Sequence, residues 1–76
     1  MTTLDQLGVG QAGRVEAVGG DPALVQRLYE MGLLEGEVIE VVGFAPLGDP
    51  VEVRIGNTRL SLRKREAGGV TVRPGD

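Results

Sequence analysis

Val51-Glu52-Val53-Arg54-Ile55-Gly56-Asn57-Thr58-Arg59-Leu60-Ser61-Leu62 is the stretch whose reading decides the fold. Apolar and polar residues alternate on both sides of Gly56-Asn57, which is the period of a strand with one face buried. Glycine and asparagine between two such runs signal a two-residue hairpin, because both tolerate the positive φ of its turn. The register places Val51, Val53, Ile55, Leu60 and Leu62 on the core face. A slip of one residue would expose all five, so the pairing is well specified.

Upstream, Val38 to Val42 is dense in β-branched residues and reads as a strand covered on both faces and ended by Phe44. Ala45-Pro46-Leu47-Gly48-Asp49-Pro50 joins it to the hairpin. Two prolines fix φ and one glycine permits positive φ, so the loop is expected to be rigid. Further upstream, Asp21-Pro22 reads as an N-cap and a first-turn proline. Leu24, Val25, Leu28 and Met31 follow at helical spacing, and Gly32 closes the helix at about Pro22 to Met31. Gly13 to Val18 alternates as a strand with Val15 and Ala17 inward. Thr2-Thr3-Leu4-Asp5 starts one helical turn, with Leu4 and Leu7 capping the core.

Downstream, Arg63 to Ala67 should form one helical turn, and Val70-Thr71-Val72 a last strand. Arg73-Pro74-Gly75-Asp76 should fray. Five short strands in so small a chain lose their exposed edges by curling into a barrel. The expected class is therefore mainly β: a small SH3-like barrel of about five short strands with one inserted α-helix at about 22–31. Its 76 residues suit one domain, 1–76, and are too few for two.

The inventory also limits the chemistry. The chain has no cysteine and no histidine. Disulfides, Cys/His zinc sites, a thiolate nucleophile and a general base poised near neutral pH are all excluded. Ser61 is the lone serine, so no Ser-His-Asp arrangement can be drawn. Asp21, Glu30 and Glu35 are close in sequence but match no carboxylate loop for a metal. The expectation is a protein that is not an enzyme, with no cofactor and no metal site. No run approaches the ~20 apolar residues of a membrane span, and Met1 to Gly10 lacks a signal-peptide pattern. A cytoplasmic protein without membrane insertion is expected.

Net charge is −3, unevenly placed: residues 1–50 carry −6 and residues 51–76 carry +3. Such asymmetry can mark a docking face or merely two strands with outward arginines.

Four stretches in order resemble a known family. They are Leu4-Asp5-Gln6-Leu7-Gly8; Arg27-Leu28-Tyr29-Glu30-Met31-Gly32-Leu33 with Gly36; the 45–50 loop; and Leu60-Ser61-Leu62-Arg63-Lys64 with Glu66-Ala67. Together they resemble the FeoA family, the small cytosolic component of bacterial ferrous-iron uptake. The resemblance implies an SH3-like barrel that modulates the membrane permease FeoB, which carries a cytosolic GTPase domain. It also implies kinship with the C-terminal domain of DtxR-type iron-dependent repressors, whose DNA-binding domain has no counterpart in these residues. The expected partner is a FeoB-type permease. The alternative is a nucleic-acid-binding or regulatory SH3-like module, and self-association is a further option.

Six residues are candidate partner contacts. Arg27 and Tyr29 lie on the helix, and arginine and aromatic side chains anchor interfaces well. Leu47 is an apolar contact on a rigid loop, or else tucks into the barrel mouth. Arg59, Arg63 and Lys64 belong to the basic cluster completed by Arg65. That cluster suits an acidic protein surface. With Phe44 and Tyr29 as the only aromatics and a negative net charge, nucleic acid is disfavoured.

Overall fold

Ile55 lies opposite Thr58 across Gly56-Asn57, and Val53–Leu60 and Val51–Leu62 continue the ladder. The hairpin therefore forms in the expected register, with all five core-face residues buried. The computed structural model describes residues 1–75. In chain order these form β1 (Thr2–Thr3), a 3-10 turn (Leu4–Gln6), β2 (Ala12–Val18), α1 (Pro22–Glu30), β3 (Val38–Phe44), β4 (Val51–Ile55), β5 (Thr58–Leu62), α2 (Lys64–Ala67) and β6 (Val70–Pro74). One antiparallel sheet runs in the order β1-β6-β2-β3-β4-β5. The sheet wraps an apolar core that includes Leu4, Leu28, Leu33, Ile39, Val41 and Leu62, and no polar side chain of the described residues is buried in it.

The helix α1 follows from its ends. The Asp21 carboxylate accepts the Ala23 N–H at 3.0 Å, and Pro22 stands in the first turn. At the other end Gly32 adopts φ 96°, Gly32 N–H donates to Tyr29 O and Leu33 N–H donates to Leu28 O. This is a Schellman closure, whose hydrophobic contact is made by two fully buried residues, Leu28 and Leu33. Helical residues stop at Glu30, with Met31 as the C-cap.

The structure departs from the sequence reading at several points. β1 is an unforeseen sixth strand: Thr2 pairs with Val72 and Thr3 with Thr71. Ala17 points outward, because β2 carries a bulge between Val15 and Ala17. The extra residue, Glu16, reverses the alternation beyond it and turns Val18 toward the core instead. β3 runs past Val42 and ends at Phe44, which is still paired, opposite Val51. Only Ile39 and Val41 of the 38–42 run are buried; Val38 is exposed and Val42 half-exposed, so the strand is covered on one face. Arg73 and Pro74 continue β6 against β2, and Gly75 N–H donates to Ala12 O, so this stretch is not frayed. Asp76, the last residue of that stretch and of the expected 1–76 domain, lies outside the described residues.

Candidate partner-binding site

The short helix α2 follows β5 directly, and two contacts fix it against the rest of the fold. The Lys64 N–H donates to Asp49 of the 45–50 loop at 2.9 Å. The Glu66 carboxylate accepts the Arg63 N–H at 2.9 Å, so the helix caps its own first turn. The second oxygen of Glu66 meets Arg27 on α1 at 2.9 Å, joining the two helices.

Two hollows open on either side of this pair. One, of about 530 Å³, lies along α1 between Gly20-Asp21 and Arg65. The other, of about 440 Å³, is lined by Pro50, Ser61, Arg63 and Arg65. Arg27, Arg65 and Glu66 line both, so the two form one cleft. At the Ser61 end it holds three guanidinium groups and one carboxylate, a cationic hollow on an acidic protein. Arg59, Arg63, Lys64 and Arg65 make no ion pair among the described residues, whereas Arg27, Arg54 and Arg73 each do.

The candidates therefore divide. Arg27 and Arg63 come together in the cleft. Arg59 lies on β5 two residues before Ser61, on the same outward face. Lys64 is exposed beside the cleft but does not line it. Tyr29 points elsewhere: two helical positions beyond Arg27, its hydroxyl donates to the Glu35 carboxylate at 2.7 Å. That bond raises the Tyr29 phenol above its ordinary pKa and lowers the Glu35 carboxyl below its own. Leu47 stands 97% exposed at the loop tip, so it does not tuck into the barrel mouth. The loop beneath it is closed by Gly48 N–H to Ala45 O and Ala45 N–H to Pro50 O.

Sequence reasoning passed over Arg65, Ser61 and Glu66 as site residues. The signal for Arg65 was its place in the basic run; the other two are set by tertiary geometry. The three carboxylates weighed for a metal disperse: Asp21 caps α1, Glu30 accepts from Gln26 and Glu35 from Tyr29. No metal-holding group of three is found among the described residues. No helix among them is long and apolar enough to cross a membrane.

The FeoA domain family matches residues 2–74, nearly the whole chain. The chain belongs to the FeoA family. A curated relative, the Fe(2+) transport protein A/Fe(2+) transporter FeoB fusion protein of Porphyromonas gingivalis, is 38% identical over 69 residues. The match takes in 91% of this chain but only 8% of that far longer protein. The solution structure of FeoA from Chlorobium tepidum is 41% identical, with a TM-score of 0.89 over 93% of this chain and 68% of that one. The crystal structure of Stenotrophomonas maltophilia FeoA, a prokaryotic SH3 domain protein complexed with zinc, is 35% identical. Its TM-score is 0.83 over 96% of this chain and 91% of that one. The expected SH3-like class thus stands. A manganese-dependent transcriptional repressor shares the fold alone, at 18% identity and a TM-score of 0.86 over 95% of this chain and 35% of the repressor.

Proposed function

We propose that this protein is a cytosolic accessory component of ferrous-iron uptake that binds the cytosolic GTPase region of a FeoB-type permease and modulates it by contact. The observation that carries this reading is the Porphyromonas gingivalis relative, in which an FeoA-like segment and FeoB are one polypeptide. Two units joined in one chain in one organism act together at high effective concentration, and separate chains can retain the interaction by direct affinity. The inventory of residues supports binding over catalysis, since histidine and cysteine are lacking.

The contact surface in this reading is the cleft around Arg27 and Arg63, extended by Arg59 and Lys64 on one side and by Leu47 on the loop. Tyr29 contributes from the far flank of α1. Cationic side chains without partners steer an acidic surface and set its register. Leu47 adds apolar area on a loop already ordered, which limits the entropy lost on docking. Residues 1–76 act as one binding domain.

The test is a titration of the protein against the isolated GTPase region of its permease, with and without guanine nucleotide. Saturable binding that weakens on Arg27→Ala or Arg63→Ala supports the reading. No binding in any nucleotide state, and none to the full-length permease in membranes, overturns it.

A further inference from the structure

β5 is the last strand in the sheet order and is hydrogen-bonded to β4 alone. Ile55 and Thr58 flank a two-residue turn, so they exchange both of their backbone bonds. Every second residue then repeats that pattern, and Thr58, Leu60 and Leu62 direct their N–H and C=O groups to β4. Arg59 and Ser61 direct theirs the other way, to the open edge. Neither residue makes any other backbone or side-chain hydrogen bond among the described residues. The edge is finite: beyond it the Arg63 N–H is taken by Glu66 and the Lys64 N–H by Asp49. Four backbone groups in a row are left, two donors and two acceptors.

Unpaired edges are normally blunted by charge, and Arg59 supplies a charge here. The charge is one-sided, however. Ser61 lines the cleft that holds Arg63 and Arg65, and Arg59, Arg63 and Arg65 have no carboxylate partner among the described residues. From 59 to 63 an extended chain covers about 13 Å. We infer that the open edge of β5 receives an acidic, extended segment of a partner protein as an added strand, its backbone pairing with Arg59 and Ser61 and its carboxylates meeting Arg63 and Arg65.

A second copy of β5 fits less well, because antiparallel self-pairing would bring two rows of arginines side by side. A nucleic-acid strand has no alternating N–H and C=O to match the edge, and no aromatic side chain lines the cleft for base stacking. Strand addition draws affinity from the backbone and specificity from alternate side chains, which the edge and the arginines supply separately.

The inference deepens the partner-binding reading but can be tested apart from it. The probe is a seven-residue peptide alternating glutamate and valine, added at up to millimolar concentration to the isotope-labelled full chain and followed by amide NMR. Saturable shifts centred on Arg59 and Ser61 are expected. The Lys/Val counterpart, and the Glu/Val peptide N-methylated at alternate residues, should each bind roughly tenfold or more weakly, about the worth of a charge-assisted hydrogen bond. Ser61→Pro removes an outward N–H and no ladder bond, a substitution that edge strands accommodate, and should abolish the shifts in a folded protein. Arg63→Ala with Arg65→Ala should weaken them by a similar factor and provides the second variant. The inference fails if the Glu/Val peptide leaves both amides unmoved, if N-methylation has no effect, if the shifts follow the protein's own concentration, or if a single-stranded oligonucleotide produces them instead. Ser61→Pro binding the permease region as the parent does would overturn the edge and leave the partner reading intact. Peptide binding without permease binding would uphold the edge and overturn that reading.

Discussion

Arg27 and Glu66 are 39 positions apart in the chain and 2.9 Å apart in the fold, and this pair is the clasp between α1 and α2. The two ends are unequal. Arg27 is over half exposed, whereas Glu66 is largely covered and also holds the Arg63 N–H. Arg27→Ala should therefore cost no more than about 1 kcal/mol, the range of exposed ion pairs. Glu66→Ala should cost about 1–2 kcal/mol, because a helix cap is lost as well. Urea unfolding of the two variants checks the order, and equal effects would refute it.

Leu28 is fully buried and is also one half of the contact that closes α1. Leu28→Ala should destabilise the protein by about 2–5 kcal/mol. A small domain has a narrow margin, so the variant should show a strongly lowered unfolding midpoint. Thermal denaturation followed by circular dichroism would show it, and a shift of a degree or two would contradict the burial.

Gly69 and Gly36 should respond differently to alanine. A Cβ on Gly69 would lie 2.5 Å from the Gly19 carbonyl oxygen, a backbone atom that cannot swing aside. Gly36 has open space but a φ of 92°. Gly36→Ala should cost about 1–2 kcal/mol for the left-handed backbone. Gly69→Ala should cost more, since β2 and β6 must part at that point. Comparing unfolding midpoints decides it.

The bond between Tyr29 and Glu35 carries a pH signature. The Glu35 carboxyl is depressed chiefly by the hydroxyl that donates to it. Its contribution to stability is therefore present above the unfolded carboxylate pKa and lost as pH falls through the lower folded one. The Tyr29 phenol is raised chiefly by the same bond. That contribution is present below the unfolded phenol pKa and lost as pH rises through the folded one. Tyr29→Phe should return the Glu35 titration, read by NMR, toward its ordinary value. Its stability deficit should be largest near neutral pH and narrow in acid.

Leu47 is almost wholly solvent-exposed on a loop whose base is hydrogen-bonded. Leu47→Ser should leave stability within about 0.5 kcal/mol, as for surface changes generally. It should weaken permease binding if the loop tip is a contact. Unchanged affinity would remove Leu47 from the proposed surface.

The parts of this fold that follow from nearest neighbours were legible in the sequence. Gly56-Asn57 with its flanking alternation located the hairpin, and Asp21-Pro22 with Gly32 located the helix to within one residue. What depended on distant partners was not. Thr2-Thr3 is a strand only because Val72 and Thr71 lie beside it. The outward turn of Ala17 comes from one unpaired residue in the ladder, which a strict period of two cannot anticipate. The candidate site divides in the same way. The basic run 63–65 was visible as a run, but its meeting with Arg27 needed α2 to fold back under the clasp. Tyr29 and Arg27 were both candidates because aromatic and arginine side chains anchor interfaces, yet two positions apart on a helix they do not share a face.

Thr2 and Val72 are direct neighbours in the sheet, so the polypeptide enters and leaves the fold at one place. A unit with adjoining ends can be spliced into another polypeptide at a single point, without a spacer to span it, or carried at either terminus of a larger chain. It can also be cut open elsewhere: joining its two ends and breaking the chain at Gly56-Asn57 would keep every strand pairing while moving the termini to the far rim of the sheet. Modularity of this kind needs no adaptation of the core. It lets one small barrel be carried as a segment of a longer polypeptide, as in the Porphyromonas gingivalis fusion protein.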